Sequence, residues 1–174
     1  GCGTQLSAAI TVYANPYPNA SILGKQHICQ GESTYLITKF DSVYTYQWLR
    51  NDTLLTGAND DSLLAKISGN YGVIVTNPFG CSDTAIVTLT VDPAPDASIT
   101  ASGSTNICQG STVTLNANSG FITYQWYLNG NTINGANGQA FAAGQAGDYT
   151  VWVTTSIGCK ATTINPVKVK VNPL

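Results

Sequence analysis

The side chains with most chemistry in this sequence are five cysteines, Cys2, Cys29, Cys81, Cys108 and Cys159. None belongs to a Cys-x-x-Cys pair, and the single histidine, His27, stands near only Cys29. Zinc ligation therefore lacks ligands, and disulfide formation is the expected chemistry. Disulfides in turn imply an oxidising compartment: periplasm, cell surface or medium. Acid–base chemistry has little to work with, because there is one glutamate (Glu32), one histidine and one arginine (Arg50). A nucleophile, base and orienting group cannot be assembled from so small a set. Asp60 and Asp61 are adjacent in a turn rather than opposed across a cleft, which does not suit glycoside hydrolysis. Asn59-Asp60-Asp61 offers oxygens to a hard cation, which takes about six to eight of them. The corresponding stretch further on reads Asn137-Gly138-Gln139, and a solvated turn is the expectation. The sequence thus predicts a non-catalytic protein without cofactor or metal.

The elements that position these residues repeat. Ile28-Cys29-Gln30-Gly31 recurs as Ile107-Cys108-Gln109-Gly110, and Thr45-Tyr46-Gln47-Trp48 recurs as Thr123-Tyr124-Gln125-Trp126. Gly57-Ala58-Asn59 recurs as Gly135-Ala136-Asn137, and Tyr71 with Gly80-Cys81 recurs as Tyr149 with Gly158-Cys159. The order is kept and the offset stays at 78 or 79 residues, as in a duplicated module. Gly1-Cys2 and Ile10-Thr11-Val12 match Gly80-Cys81 and Leu89-Thr90-Val91. Residues 1–14 accordingly read as the last strand of a truncated upstream module, followed by module 1 over 15–93 and module 2 over 94–174. Gly1-Cys2 also fits the end of a lipoprotein signal with Cys2 lipidated, but the repeat accounts for more residues. Asn15-Pro16-Tyr17-Pro18 and Asp92-Pro93-Ala94-Pro95 are the expected linkers, short and stiffened by proline.

Composition agrees with strands. Only 9% of residues are charged, against roughly 25% in an average soluble domain. Threonine, valine, isoleucine and tyrosine favour pleated, half-buried surfaces, and 17 glycines and 7 prolines supply turns. The net charge of −2 without a basic cluster argues against a nucleic-acid partner. No apolar run reaches the ~18 residues of a membrane-spanning helix. The absence of a methionine start suggests a piece of a longer polypeptide. Alternating segments predict strands at Thr34–Lys39, Tyr44–Arg50, Tyr71–Thr76 and Ala85–Val91 in module 1. In module 2 they predict Ser98–Ala101, Thr112–Ala117, Tyr124–Leu128, Asp148–Thr154 and Val167–Val171. Turns are expected at Asn129-Gly130 and Ser156-Ile157-Gly158.

Tyr-Gln-Trp on a central strand, followed by Gly-x-Tyr-x-Val-x-Val-Thr, resembles the third and sixth strands of an immunoglobulin domain. The resemblance implies an all-β fold: tandem immunoglobulin-like β-sandwiches joined by short Pro-rich linkers. It implies that Trp48 and Trp126 are buried, with Tyr46 and Tyr124 on the same inward face. Tyr71 and Tyr149 match the corner tyrosine. The usual inter-sheet cysteines are replaced by Thr38 and Val73 in module 1, and by Ala117 and Val151 in module 2. The cysteines sit instead in turns, an Ile-Cys-Gln-Gly turn before the second strand and a Gly-Cys after the sixth, an arrangement similar to the Ig-like modules repeated in large surface proteins of gliding Bacteroidetes exported by the type IX pathway. That likeness implies a structural or adhesive repeat region of a secreted cell-surface protein, an adhesin or extracellular filament. A carbohydrate-binding or spacer region of a secreted polysaccharide-degrading enzyme is the alternative. The expected partners are further Ig-like modules of the same chain, together with like subunits or surface glycans.

Two disulfide patterns are open. One bridge per module would join Cys29 to Cys81 and Cys108 to Cys159. In an Ig-like topology, however, these cysteines lie at opposite poles, separated by strands of about 17–20 Å, whereas a disulfide needs Cα atoms within roughly 7 Å. The staggered pattern joins Cys29 to Cys159, with Cys2 and Cys81 paired upstream and Cys108 downstream. Asp41-Ser42-Val43, Asp52-Thr53-Leu54, Asp61-Ser62-Leu63 and Asp83-Thr84-Ala85 look like the O-glycosylation acceptor pattern of Bacteroidetes surface proteins, making Ser42, Thr53, Ser62 and Thr84 candidate glycan sites. Such pairs are also ordinary turn formers. Tyr127 and Trp152 alternate with inward residues on neighbouring strands, and are expected to form an exposed contact pair for a sugar ring or a protein. Their equivalents in module 1 are Leu49 and Ile74.

Overall fold

The computed structural model describes Ala14 and residues 16–173. They fall into two compact units. The first holds Ser33–Thr90 and the described residues up to Gln26; the second holds His27–Glu32 together with the chain from Val91 onward. All regular structure among the described residues is β.

In the first unit, β2 (Thr34–Ile37) pairs antiparallel with β5 (Ser62–Ala65), and Leu23 adds a bridge to Ile37. The facing sheet is built on β3 (Thr45–Arg50), β6 (Gly69–Thr76) and β7 (Ser82–Asp92), with β4 (Thr53–Leu54) beside β3. Side chains alternate across a strand, so β6 turns Tyr71, Val73 and Val75 inward, while β3 turns in Tyr46 and Trp48. Leu36, Ala65 and Leu89 complete this core. The β3–β4 turn has positive φ at both Asn51 and Asp52 (48° and 61°), as a type I′ hairpin turn requires.

The second unit follows the same plan. β8 (Ile99–Ala101), β10 (Val113–Ala117) and β13 (Ala140–Ala143) form one sheet in the order β13-β10-β8. The other sheet runs β12 (Asn131–Thr132), β11 (Thr123–Leu128), β14 (Gly147–Thr154), β16 (Val167–Asn172) and β9 (Asn106–Cys108), while β15 (Lys160–Thr162) also pairs with β14. Leu115, Trp126, Tyr149, Val151, Val153 and Val169 are the centre of its core. Phe141 stacks on Trp126 with ring centroids 5.8 Å apart. Thr163, 7% exposed, donates its hydroxyl to the Ala97 carbonyl at 2.8 Å and accepts the Val151 N–H at 3.0 Å.

One expectation is corrected. Ile-Cys-Gln-Gly is not simply a turn: in the second repeat it ends strand β9, which runs parallel to β16 with Ile107 opposite Val171 and Cys108 opposite Asn172. Its counterpart β1 (His27–Cys29) lies beside the end of β7, and the Gln30 N–H donates to the Asp92 carbonyl at 2.8 Å. Three residues are too few to show a period, and the partner strand lies far along the chain. Ile28 and Ile107, 3% and 8% exposed, anchor both segments.

Candidate functional site

The disulfide joins Cys29 to Cys159, with Cα atoms 5.5 Å apart. Bridges Cys29–Cys81 and Cys108–Cys159 are not formed; Cys81 is free and half-buried, and Cys108 is free and exposed. The choice of partner follows from packing: His27–Glu32, although it belongs to the first sequence repeat, clusters in the second unit with Cys159. Cys2 lies outside the described residues, as does nearly all of the predicted strand over 1–14.

Each cysteine segment is set by backbone hydrogen bonds. After Cys29, the Glu32 N–H returns to the Cys29 carbonyl at 2.9 Å, and the Glu32 carboxylate accepts the Cys29 N–H at 3.2 Å. On the other side, the Cys159 N–H donates to the Thr155 hydroxyl at 3.0 Å. Asn77 does the same for Cys81, its Oδ1 accepting the Cys81 N–H at 2.9 Å. Sequence reasoning passed over Asn77 and Thr155; the signal was a small side-chain acceptor four residues before each Gly-Cys cysteine. It also passed over the glutamine of Tyr-Gln-Trp. The Gln125 amide donates to the Ile133 and Trp126 carbonyls, both at 3.0 Å, and Gln47 makes the equivalent bonds to Leu55 and Trp48.

Tyr127 and Trp152 come together on the outer face of β11 and β14, with ring centroids 6.0 Å apart and planes inclined by 47°. They are diagonal neighbours, since Tyr127 lies opposite Thr150 and Trp152 opposite Gln125. Trp152 is 49% exposed, which leaves much of an indole available for contact. In the first unit, Leu49 and Ile74 occupy these positions, and Leu49 lines a shallow groove with Gly72, Thr84 and Ile86.

Among the Asp-Ser/Thr positions, Ser42, Thr53 and Thr84 are exposed, while Ser62 is half-buried where β5 pairs with Ile37. His27 is exposed with Nδ1 3.1 Å from the Asp92 carboxylate. The Asp60 and Asp61 carbonyls serve the fold, accepting from the Trp48 indole at 2.9 Å and from the Thr38 N–H at 2.8 Å. Among the described residues, no three His, Cys, Asp or Glu side chains are gathered to hold a metal ion. No helix among the described residues is long and apolar enough to cross a membrane.

Over residues 95–173, a little under half of the chain, the sequence matches the family model described as the Ig-like domain, CHU_C associated. Residues 95–173 are therefore similar to that family of Ig-like domains. No curated protein matches the chain in sequence. Among solved structures, the titin I-band fragment I67–I69 is similar at 14% identity and a TM-score of 0.52, over 92% of this chain and 67% of that one. Murine CEACAM1b is similar at 15% identity and a TM-score of 0.44, over 88% of this chain and all of that one. The mouse coronavirus receptor-binding domain in complex with its murine receptor gives 15% identity and a TM-score of 0.49, over 88% of this chain and 100% of the other. At such identities the likeness concerns the fold alone.

Ig-like construction explains the cores. The corner tyrosines return to the backbone four residues upstream, Tyr71 to the Ile67 carbonyl at 2.8 Å and Tyr149 to the Gln145 carbonyl at 3.0 Å. Trp48 lies opposite Val73 and Trp126 opposite Val151, and all four are fully buried. Where other Ig-like domains carry an inter-sheet disulfide, the second unit buries the apolar side chains of Ala117 and Val151, and the first buries Val73 and the polar Thr38.

Proposed function

We propose that the chain is a structural and adhesive repeat region of a large secreted cell-surface protein, an adhesin or extracellular filament of the Bacteroidetes type, with no catalytic role. The observation that carries this reading is the duplication: one Ig-like plan, with the same corner tyrosine, buried tryptophan and cysteine-bearing segments, is executed twice in one chain. Repetition of a module suits a spacer that holds something else away from a surface. The Cys29–Cys159 disulfide supports an oxidising, extracellular setting. In the proposed organisation, modules at 15–93 and 94–174 follow the last strand of an upstream one, and proline-bearing junctions limit bending. Further modules of the same chain, like subunits and surface glycans are the partners. O-linked glycan at Ser42, Thr53 or Thr84 would add a hydrated coat, and intact mass measurement of the native protein tests it.

The test of the main reading is an immunoblot of the parent protein in surface and medium fractions, with and without reductant. A very large surface-bound species is expected. A discrete species in the medium, little larger than these modules plus one catalytic domain, would favour the accessory region of a polysaccharide-degrading enzyme. The surface pair, in which Trp152 is exposed and Tyr127, against the expectation, is half-buried, is the observation behind that second reading. It requires Trp152→Ala to abolish retention on an insoluble polysaccharide while the fold persists.

A further inference from the structure

Among the described residues, both halves of the disulfide occur twice, and each half is used once. The segment half at Cys29 has Gly31 at φ 89°, the Glu32 N–H on the Cys29 carbonyl at 2.9 Å, and the Gln30 N–H on the Asp92 carbonyl at 2.8 Å. Around Cys108 the same set recurs: Gly110 at φ 84°, the Ser111 N–H on the Cys108 carbonyl at 3.0 Å, and the Gln109 N–H on the Asn172 carbonyl at 2.9 Å. The loop halves also agree. Thr155 N–H donates to the Cys159 carbonyl at 2.9 Å and Gly158 N–H to the Thr155 carbonyl at 3.0 Å; Asn77 N–H donates to the Cys81 carbonyl at 2.9 Å and Gly80 N–H to the Asn77 carbonyl at 3.0 Å.

Segment and loop are complementary, because Cys29 and Cys159 are already bonded. Within each kind, segment or loop, the bonded member is the more covered one. Cys159 is 1% exposed and Cys29 half-buried, whereas the free loop cysteine Cys81 is half-buried and the free segment cysteine Cys108 is exposed.

We infer that Cys108 and Cys81 are the two ends of a covalent series, Cys108 of one copy bonding to Cys81 of a second copy. Segment meets loop, so the linkage is heterologous and repeats head to tail instead of closing as a symmetric dimer. The oxidant is a small-molecule disulfide. The Cys108 thiolate attacks it and expels one thiolate, and the Cys81 thiolate of the second copy then attacks Cys108 Sγ and expels the other. Two protein thiols become one disulfide, and the small disulfide leaves as two thiols carrying the two protons. This inference goes beyond the proposed function and holds whether or not the parent protein is an adhesin.

The experiment uses the full chain carrying Cys2→Ser, incubated natively with oxidised glutathione and resolved on non-reducing gels with peptide mapping. A ladder of multimers is expected, yielding a peptide that links Cys108 to Cys81. Cys81→Ser and Cys108→Ser, each added to that background, should leave monomer alone, with at least tenfold less dimer. Mixed together, they should give one dimer band and nothing larger. The Cys29–Cys159 peptide, present in every sample, certifies that each variant has folded. Symmetric Cys108–Cys108 or Cys81–Cys81 dimers at comparable yield, or a parent that remains monomeric, would overturn the inference.

Discussion

The indole Nε1–H of Trp126 donates to the backbone carbonyl of Gly138 at 2.9 Å, tying the centre of β11 to a loop 12 residues further on. Trp48 holds the Asp60 carbonyl in the same way at 2.9 Å. Each tryptophan therefore fills the core and fixes the chain that leaves it. Trp126→Ala removes both functions and should destabilise the second unit by about 3–5 kcal/mol. Urea denaturation followed by circular dichroism measures this; a loss below about 1 kcal/mol would contradict the role given to the indole.

Two buried threonines should respond oppositely to the same substitution. The Thr38 hydroxyl, in a residue 3% exposed, has no hydrogen-bond partner, whereas the Thr163 hydroxyl bonds to the Ala97 carbonyl at 2.8 Å. Replacing an unsatisfied buried hydroxyl by a methyl group removes a desolvation penalty of about 1–3 kcal/mol. Thr38→Val is thus expected to raise the unfolding midpoint. Thr163→Val leaves the Val151 N–H without its 3.0 Å acceptor and should lower it.

Corner tyrosines give a smaller effect. Tyr149→Phe keeps the ring in its core and deletes the hydroxyl's bond to the Gln145 carbonyl, at 3.0 Å, with the longer one it accepts from the Gln145 N–H at 3.4 Å, so a loss of about 1 kcal/mol is expected. Thermal melts of Tyr149→Phe and Tyr71→Phe should show similar downward shifts, because both hydroxyls reach a carbonyl four residues upstream.

Reduction should act through one cysteine pair. Cys29 and Cys159 are separated by 130 residues, and opening a native disulfide typically costs about 2–4 kcal/mol. Cys29→Ser is expected to lower the melting temperature to that of the reduced protein. Cys81→Ser should leave the monomer's melting temperature unchanged, since Cys81 is free.

Trp152 should report on the surface. It is 49% exposed, whereas Trp48 and Trp126 are fully buried. Trp152→Ala should remove most of the fluorescence quenched by acrylamide and lower stability by no more than about 1 kcal/mol, the scale of a cross-strand pair. A larger destabilisation would make the pair with Tyr127 a structural one.

Much of the fold is legible in the sequence where local periodicity is strong. Alternation along Tyr-Val-Val in β6 and β14 points these side chains inward, and both sets are buried. The turn at Asn129-Gly130 is written in residue types that tolerate positive φ, and both adopt it, at 50° and 79°. Strands β1, β4, β5, β9, β12, β13 and β15 escape such reading because two to four residues carry too little of a period. Their existence depends on partners elsewhere, as when β9 gains its hydrogen bonds from β16.

The sequence by itself determined the duplication, the all-β class and the pattern of inward residues, because each follows from residue types at short spacing. It left two cysteine pairings open. Only the tertiary structure decided between them, by packing His27–Glu32 into the second unit and bringing Cys29 within 5.5 Å of Cys159. It also drew Tyr127 and Trp152 to 6.0 Å through the β11–β14 register. The physical reason is common to both: distances between residues far apart in sequence are set by how sheets pack and align, and no local pattern of side chains encodes them.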